Sequence, residues 1–245
     1  MTTSGSPWHP LRPFEQPAGP VRRLEASADV LTRPGEAPQL QLRYRLQGLA
    51  GLRLPEPSST PSRRDELWQH TCFEAFVGRP DHNEYWEFNL SPSGDWAAYR
   101  FLAYRQGLQQ ESCYRALPFV LDRPEPNRHL RRASLADAQV EHQTLEHQTL
   151  ELSCCVLLPP GLHGARQLQI GLTAVLEFEP VSGLESELPV WDRPVCDRPA
   201  CDQSESKAGS LSYWALEHPG SQADFHDRRG WTKLLSLAPA AGHGC

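Results

Sequence analysis

A chain of 245 residues with 39% hydrophobic residues, 23 prolines and 17 glycines is long for one domain, yet within reach of a single loop-rich all-β unit. A net charge of −6, with no basic cluster beyond short runs such as Arg131-Arg132, argues against a nucleic-acid partner. No stretch approaches the roughly 20 apolar residues of a membrane-spanning helix, and residues 1–20 lack the basic start and apolar core of a secretory signal.

On that reading the protein is cytoplasmic, and its seven cysteines are reduced. Only Lys207 and Lys233 among the 24 basic residues are lysines, so 22 are arginine. Seven Trp, eight Phe and six Tyr supply the apolar area for a core.

Residues 1–19 read as a flexible segment, 20–237 as one domain and 238–245 as a tail. Val21 to Leu31 and Gln39 to Gln47 alternate apolar with polar, the second as Leu40, Leu42, Tyr44 and Leu46. A Pro/Ser/Arg-rich loop follows over 54–64. Three strands then come close together, at 67–77, 85–92 and 95–105, separated by the turns 78–83 and 92–94. A loop rich in Pro and Arg spans 122–133. Strands are predicted near 138–145, 149–158 and 167–179, with Cys154 to Leu158 as a buried apolar run. A last pair runs through 212–218 and 231–237. No helical pattern of useful length occurs. The expected architecture is an all-β, two-sheet antiparallel β-sandwich of jelly-roll type.

Two five-residue duplications interrupt the pattern, EHQTL at 141–145 and 146–150, and DRPVC and DRPAC at 192–196 and 197–201. A shift of five flips every side chain of a strand, so both read as loop or strand-end insertions, near 122–150 and 191–207. The duplication also accounts for the Cys196-x4-Cys201 spacing, which matches no common zinc pattern. Neither metal nor cofactor is expected. No nucleophile elbow, P-loop, dinucleotide fingerprint or H-E-x-x-H occurs.

Alternation in 67–77 puts Phe73, Ala75 and Val77 on one face and His70, Cys72, Glu74 and Phe76 on the other. In 85–92, Trp86, Phe88 and Leu90 oppose Tyr85, Glu87 and Asn89. If both apolar sets enter the core, Glu74, Glu87 and Asn89 share the other face, with Arg100 of the next strand in reach. Such groups suit the hydroxyls of a polar ligand. They equally suit a cross-strand Arg–carboxylate network. A glycosidase pair made of Glu74 and Glu87 has no support, because nothing separates an acid from a base. Trp68, Trp191, Trp214 and Trp231 fall outside the clearest core pattern and could stack on sugar rings.

The stretch LWQHTCFEAFVGRPDHNEYWEFNLSPSGDWAAYRF (67–101) resembles the DOMON-like domains related to family 9 carbohydrate-binding modules, through Glu74-Ala75-Phe76, Tyr85-Trp86-Glu87-Phe88-Asn89 and Ser93-Gly94. SYWALEHPGSQADFHDRRGWTKL (212–234) is similar to the Trp-rich strand and Asp-Phe-His segment that close such domains. The resemblance is to the uncharacterised bacterial members of that group. It implies a sandwich and a non-catalytic ligand-binding module, with a carbohydrate or similar polar small molecule as ligand. The expected site is Glu74, Glu87, Asn89 and Arg100, with Trp214 as stacking platform and His226 at the rim.

The group also contains haem binders that use Met and His. Here the single methionine is Met1, which leaves only His70 with His226. A protein-interaction scaffold is the remaining alternative. Oligomeric state is not legible from the chain.

Overall fold

The computed structural model describes residues 6–16, 19–123, 148–179 and 210–237. The expected strand near 138–145, both duplications in their described bounds, Cys196, Cys201 and Trp191 lie wholly or largely outside them.

The strands are β1 (His9–Pro10), β2 (Arg12–Pro13), β3 (Arg23–Leu31), β4 (Gln39–Gln47), β5 (Cys72–Gly78), β6 (Tyr85–Leu90) and β7 (Trp96–Phe101). They continue as β8 (Gln109–Gln110), β9 (Phe119–Asp122), β10 (Thr149–Leu157), β11 (Gln167–Phe178), β12 (Ser210–Ala215) and β13 (Lys233–Ser236). Helical structure among the described residues is confined to 3-10 turns of three residues at Leu67–Gln69, Pro160–Leu162 and Arg228–Gly230.

All pairing in the two sheets is antiparallel. A five-stranded sheet has the order β1-β3-β4-β10-β9, and an eight-stranded one has β2-β12-β11-β5-β6-β7-β8 with β13 also on β11. The molecule is the expected β-sandwich.

Period-two patterning produces the core. In β4, Leu40, Leu42, Tyr44 and Leu46 are fully buried while Gln39, Gln41, Arg43, Arg45 and Gln47 are only half-buried. They meet Phe73, Ala75, Val77, Trp86, Phe88 and Leu90 from the other sheet in one apolar layer. Burial of these side chains contributes about 1.5–3 kcal/mol each for the larger ones. β10 differs from the expected buried run. Cys154, Val156 and Leu158 point in, whereas Cys155 and Leu157 are exposed, because one face of this sheet meets solvent.

The start of the chain is another departure. Within 1–19, β1 pairs with β3 and β2 pairs with β12, so this short stretch joins one edge of each sheet. Leu11 between them is buried in the core and anchors the crossing. Pro10 and Pro13 are tolerated because edge positions need not donate to the ladder.

Candidate functional site

β5 and β6 are buried along their whole length on both faces. An antiparallel sheet usually leaves its outer face wet, so something covers this one. Register decides which residues lie beneath the cover. Glu74 is opposite Thr173 of β11 and Asn89 of β6, and Asn89 is opposite Ala97. One row along, Glu87 is opposite Phe76 and Tyr99. The outer face of β5–β7 therefore carries Glu74, Glu87 and Asn89 among small and aromatic neighbours, as the alternation predicts. Their exposures are 3%, 5% and 0%.

The cover comes from two segments. On one side, residues 224–231 lie over a second apolar cluster of Phe76, Tyr85, Ala97, Tyr99, Phe101 and Trp231. Trp231 stacks on Phe76 with ring centroids 5.5 Å apart, and its Nε1–H donates to the Phe225 carbonyl at 2.8 Å. It seats directly over Gly171, where a Cβ would come within 2.5 Å of the indole. The Gln169 amide donates to the carbonyls of Arg228 and Trp231 and holds this segment to β11. On the other side, the 3-10 turn Leu67–Gln69 lies against β5 and β6, with Leu67 packed on the same cluster. Asp65 before it accepts from the Tyr99 hydroxyl at 2.6 Å, and His70 after it contacts Glu177 at 2.8 Å. Trp68 on this turn remains 47% exposed, an aromatic face left open on the covered side of the sheet.

Beneath the cover the polar groups form an incomplete network. Asn89 Nδ2 donates to Glu87 Oε1 at 2.7 Å. His226 sits edge-on to Phe76 and Phe101, with Nε2 3.7 Å from Glu87 Oε2. The Tyr85 oxygen accepts from the Arg105 backbone N–H at 3.2 Å and is hydrogen-bonded to His226 Nδ1 at 2.7 Å.

Two buried acceptors, Glu74 Oε1 and Asn89 Oδ1, have no partner. An unsatisfied buried polar atom costs about 1–3 kcal/mol, so these two facing groups are poorly solvated where they sit; Trp214 Nε1 in the main core is a third such atom.

Electrostatics agree. Burial, then the charge of Glu87, pushes the Glu74 carboxyl well above the usual carboxylate range. Burial raises Glu87 to about 7, opposed by the Asn89 hydrogen bond and the charge of Arg105. Burial, then Arg105, lowers His226 to about 4, so the imidazole is neutral at physiological pH.

Three expected members of the site are placed differently. Arg100 is opposite Trp86, and directly opposed residues share a face, so it lies on the core side of the sheet away from Glu87. It donates to Glu84 at 2.6 Å and lies over the Trp86 ring. Trp214 is opposite Ala174 and buried in the main core at 5% exposure, so it offers no stacking surface. His226 is not at an open rim but inside the cover, largely buried against Glu87 and Tyr85.

Trp68 and Trp231 are the tryptophans that the outer face uses. Their signal in the sequence is indirect: Gly171, which interrupts the apolar run of β11, marks the close approach of Trp231. His70 ends the 3-10 turn before β5 and is bound to Glu177, whereas His226 contacts Glu87 and Tyr85. The structure thus separates it from His226.

No family model and no curated protein matches the chain. Among solved structures, it is similar to a crystal structure of a "putative carbohydrate-binding protein" from Bacteroides uniformis ATCC 8492. That similarity has 11% identity and a TM-score of 0.47, over 94% of this chain and 85% of the other.

Proposed function

We propose that the covered outer face of β5–β7 is a ligand-binding site without catalytic chemistry, and that its ligand is a carbohydrate or a similarly polar small molecule. The observation that carries this reading is the pair of orphaned buried acceptors, Glu74 Oε1 and Asn89 Oδ1, on a face that also buries Glu87. A structural network would satisfy its own members; this one leaves acceptors for a ligand's donors. The exposed indole of Trp68 on the adjoining turn supplies a surface for an apolar sugar face. The likeness of 67–101 and 212–234 to DOMON-like domains supports the same reading. The absence of catalysis is part of the proposal, which gives Glu74 and Glu87 the role of ligand contacts.

The test is a thermal-shift screen of the full chain across mono- and oligosaccharides, because a ligand selective for the folded state raises Tm. A saccharide-dependent rise that is lost in Asn89→Ala, with the variant still folded, is the expected result. No shift with any saccharide at millimolar concentration would overturn the reading and favour a scaffold.

A further inference from the structure

Five acids are buried among the described residues: Glu25, Glu74, Glu87, Asp95 and Glu177. Three of them have an arginine. Arg23 meets Glu25 at 2.8 Å, Arg64 meets Asp95 at 3.1 Å, and Arg53 meets Glu177 at 2.8 Å. Only Glu74 and Glu87 have neither an arginine nor a lysine in ion-pair contact among the described residues, in a chain that holds 22 arginines. Arg105 is near enough to influence Glu87, but its guanidinium is bound to Asp224 at 2.9 Å. His226, which contacts Glu87, is neutral at physiological pH because burial, then the charge of Arg105, lowers its pKa to about 4.

We propose that the cationic partner this pair lacks comes from the ligand, which presents a protonated primary amine to Glu74, Glu87 and Asn89. This rests on the ligand-site reading above and narrows it to amino-bearing ligands, with an amino sugar as its saccharide form. An ammonium group has three donors and no acceptor, which matches two unmet oxygens, one on an amide and one on a carboxyl that a cation would hold ionised. A neutral hydroxyl could fill one orphan, but only a cation would draw these burial-raised carboxyls into their ionised form. A metal ion fits poorly, since no group of three His, Cys, Asp or Glu side chains converges among the described residues.

The neighbours suit an ammonium as well. Phe76 and Tyr99 flank Glu87 as its direct cross-strand partners, and aromatic faces attract cations. With the Glu87 side chain 7% exposed and that of His226 15%, only a compact head group could reach the pair while the rest of the ligand stays outside.

The test is calorimetry at pH 7 on the full chain with D-glucosamine, D-glucose, N-acetyl-D-glucosamine and ethanolamine. Because a charge-assisted hydrogen bond is roughly twice as strong as a neutral one, glucosamine should bind about tenfold more tightly than glucose or the N-acetyl sugar. Glu87→Gln, which keeps an acceptor for Asn89, should abolish that preference, and Glu74→Gln serves as a second variant should the first fail to fold. Equal or tighter binding of glucose overturns the amine inference and leaves the saccharide reading standing. Binding of ethanolamine without any sugar supports the amine and overturns the saccharide reading. No binding by any of the four overturns both.

Discussion

Replacing Glu87 with Gln should stabilise the ligand-free protein at neutral and higher pH. In the folded chain the Glu87 carboxyl titrates at about 7, against 4.5 for the ordinary group. Between those values the folded state holds a proton that the unfolded state has lost, so the contribution of Glu87 to stability falls as pH rises. At about 1.4 kcal/mol per pH unit, the loss reaches about 3 kcal/mol once the folded group has ionised. Gln does not titrate and still accepts from Asn89, so it escapes this loss. His226 works in the opposite sense, because its folded value of about 4 lies below 6.5 and its contribution is lost as pH falls through that window. The wild-type profile alone is therefore uninformative; the difference between variant and wild type removes His226 and reports Glu87 together with its coupling to Glu74. Thermal unfolding of both proteins from pH 4 to pH 8 should show nearly equal Tm at the acid end. The variant should lead by roughly 6–12 °C at pH 8. A variant less stable by a constant amount at every pH would refute the reasoning and show that the carboxylate is a structural anchor.

Three further outcomes follow from the packing. Gly171→Ala forces its methyl into the Trp231 indole and should cost about 1–3 kcal/mol, read as a lower denaturation midpoint with Trp231 fluorescence shifted to the red. Trp214→Ala should cost about 3–5 kcal/mol through the cavity it leaves in the main core, while any saccharide bound by the folded fraction keeps its affinity in calorimetry. Arg100→Gln removes a partly exposed pair with Glu84 and should change stability by about 1 kcal/mol or less, with ligand affinity unaltered.

Much of the fold could be read from the chain because strands carry a period of two. The faces Phe73-Ala75-Val77 and Trp86-Phe88-Leu90 follow from alternation alone, and with them the common face of Glu74, Glu87 and Asn89. Arg100 fails for the same physical reason that the others succeed: Trp96 and Ala98 point inward, so the parity of β7 carries Arg100 with them, and nearness on the next strand does not override parity. Trp214 follows Tyr213, and two adjacent aromatics give no local sign of which faces in; pairing with Ala174 decides it. Residues 9–13 escaped notice because two-residue strands are too short to show a period. The cover over the site was out of reach as well, since a loop's path across a sheet is set by distant contacts such as those of Gln169 and Arg228.

The most direct test of a ligand beneath that cover is a titration of 15N-labelled protein with glucosamine and glucose, followed by NMR. The Asn89 side-chain amide, whose Nδ2 donates to Glu87 and whose Oδ1 is orphaned, should shift along with the Trp231 indole N–H, while the Trp214 indole N–H in the main core stays still. Shifts confined to the five-stranded sheet, or to Trp214 without Asn89, would contradict a binding site at Glu74, Glu87 and Asn89.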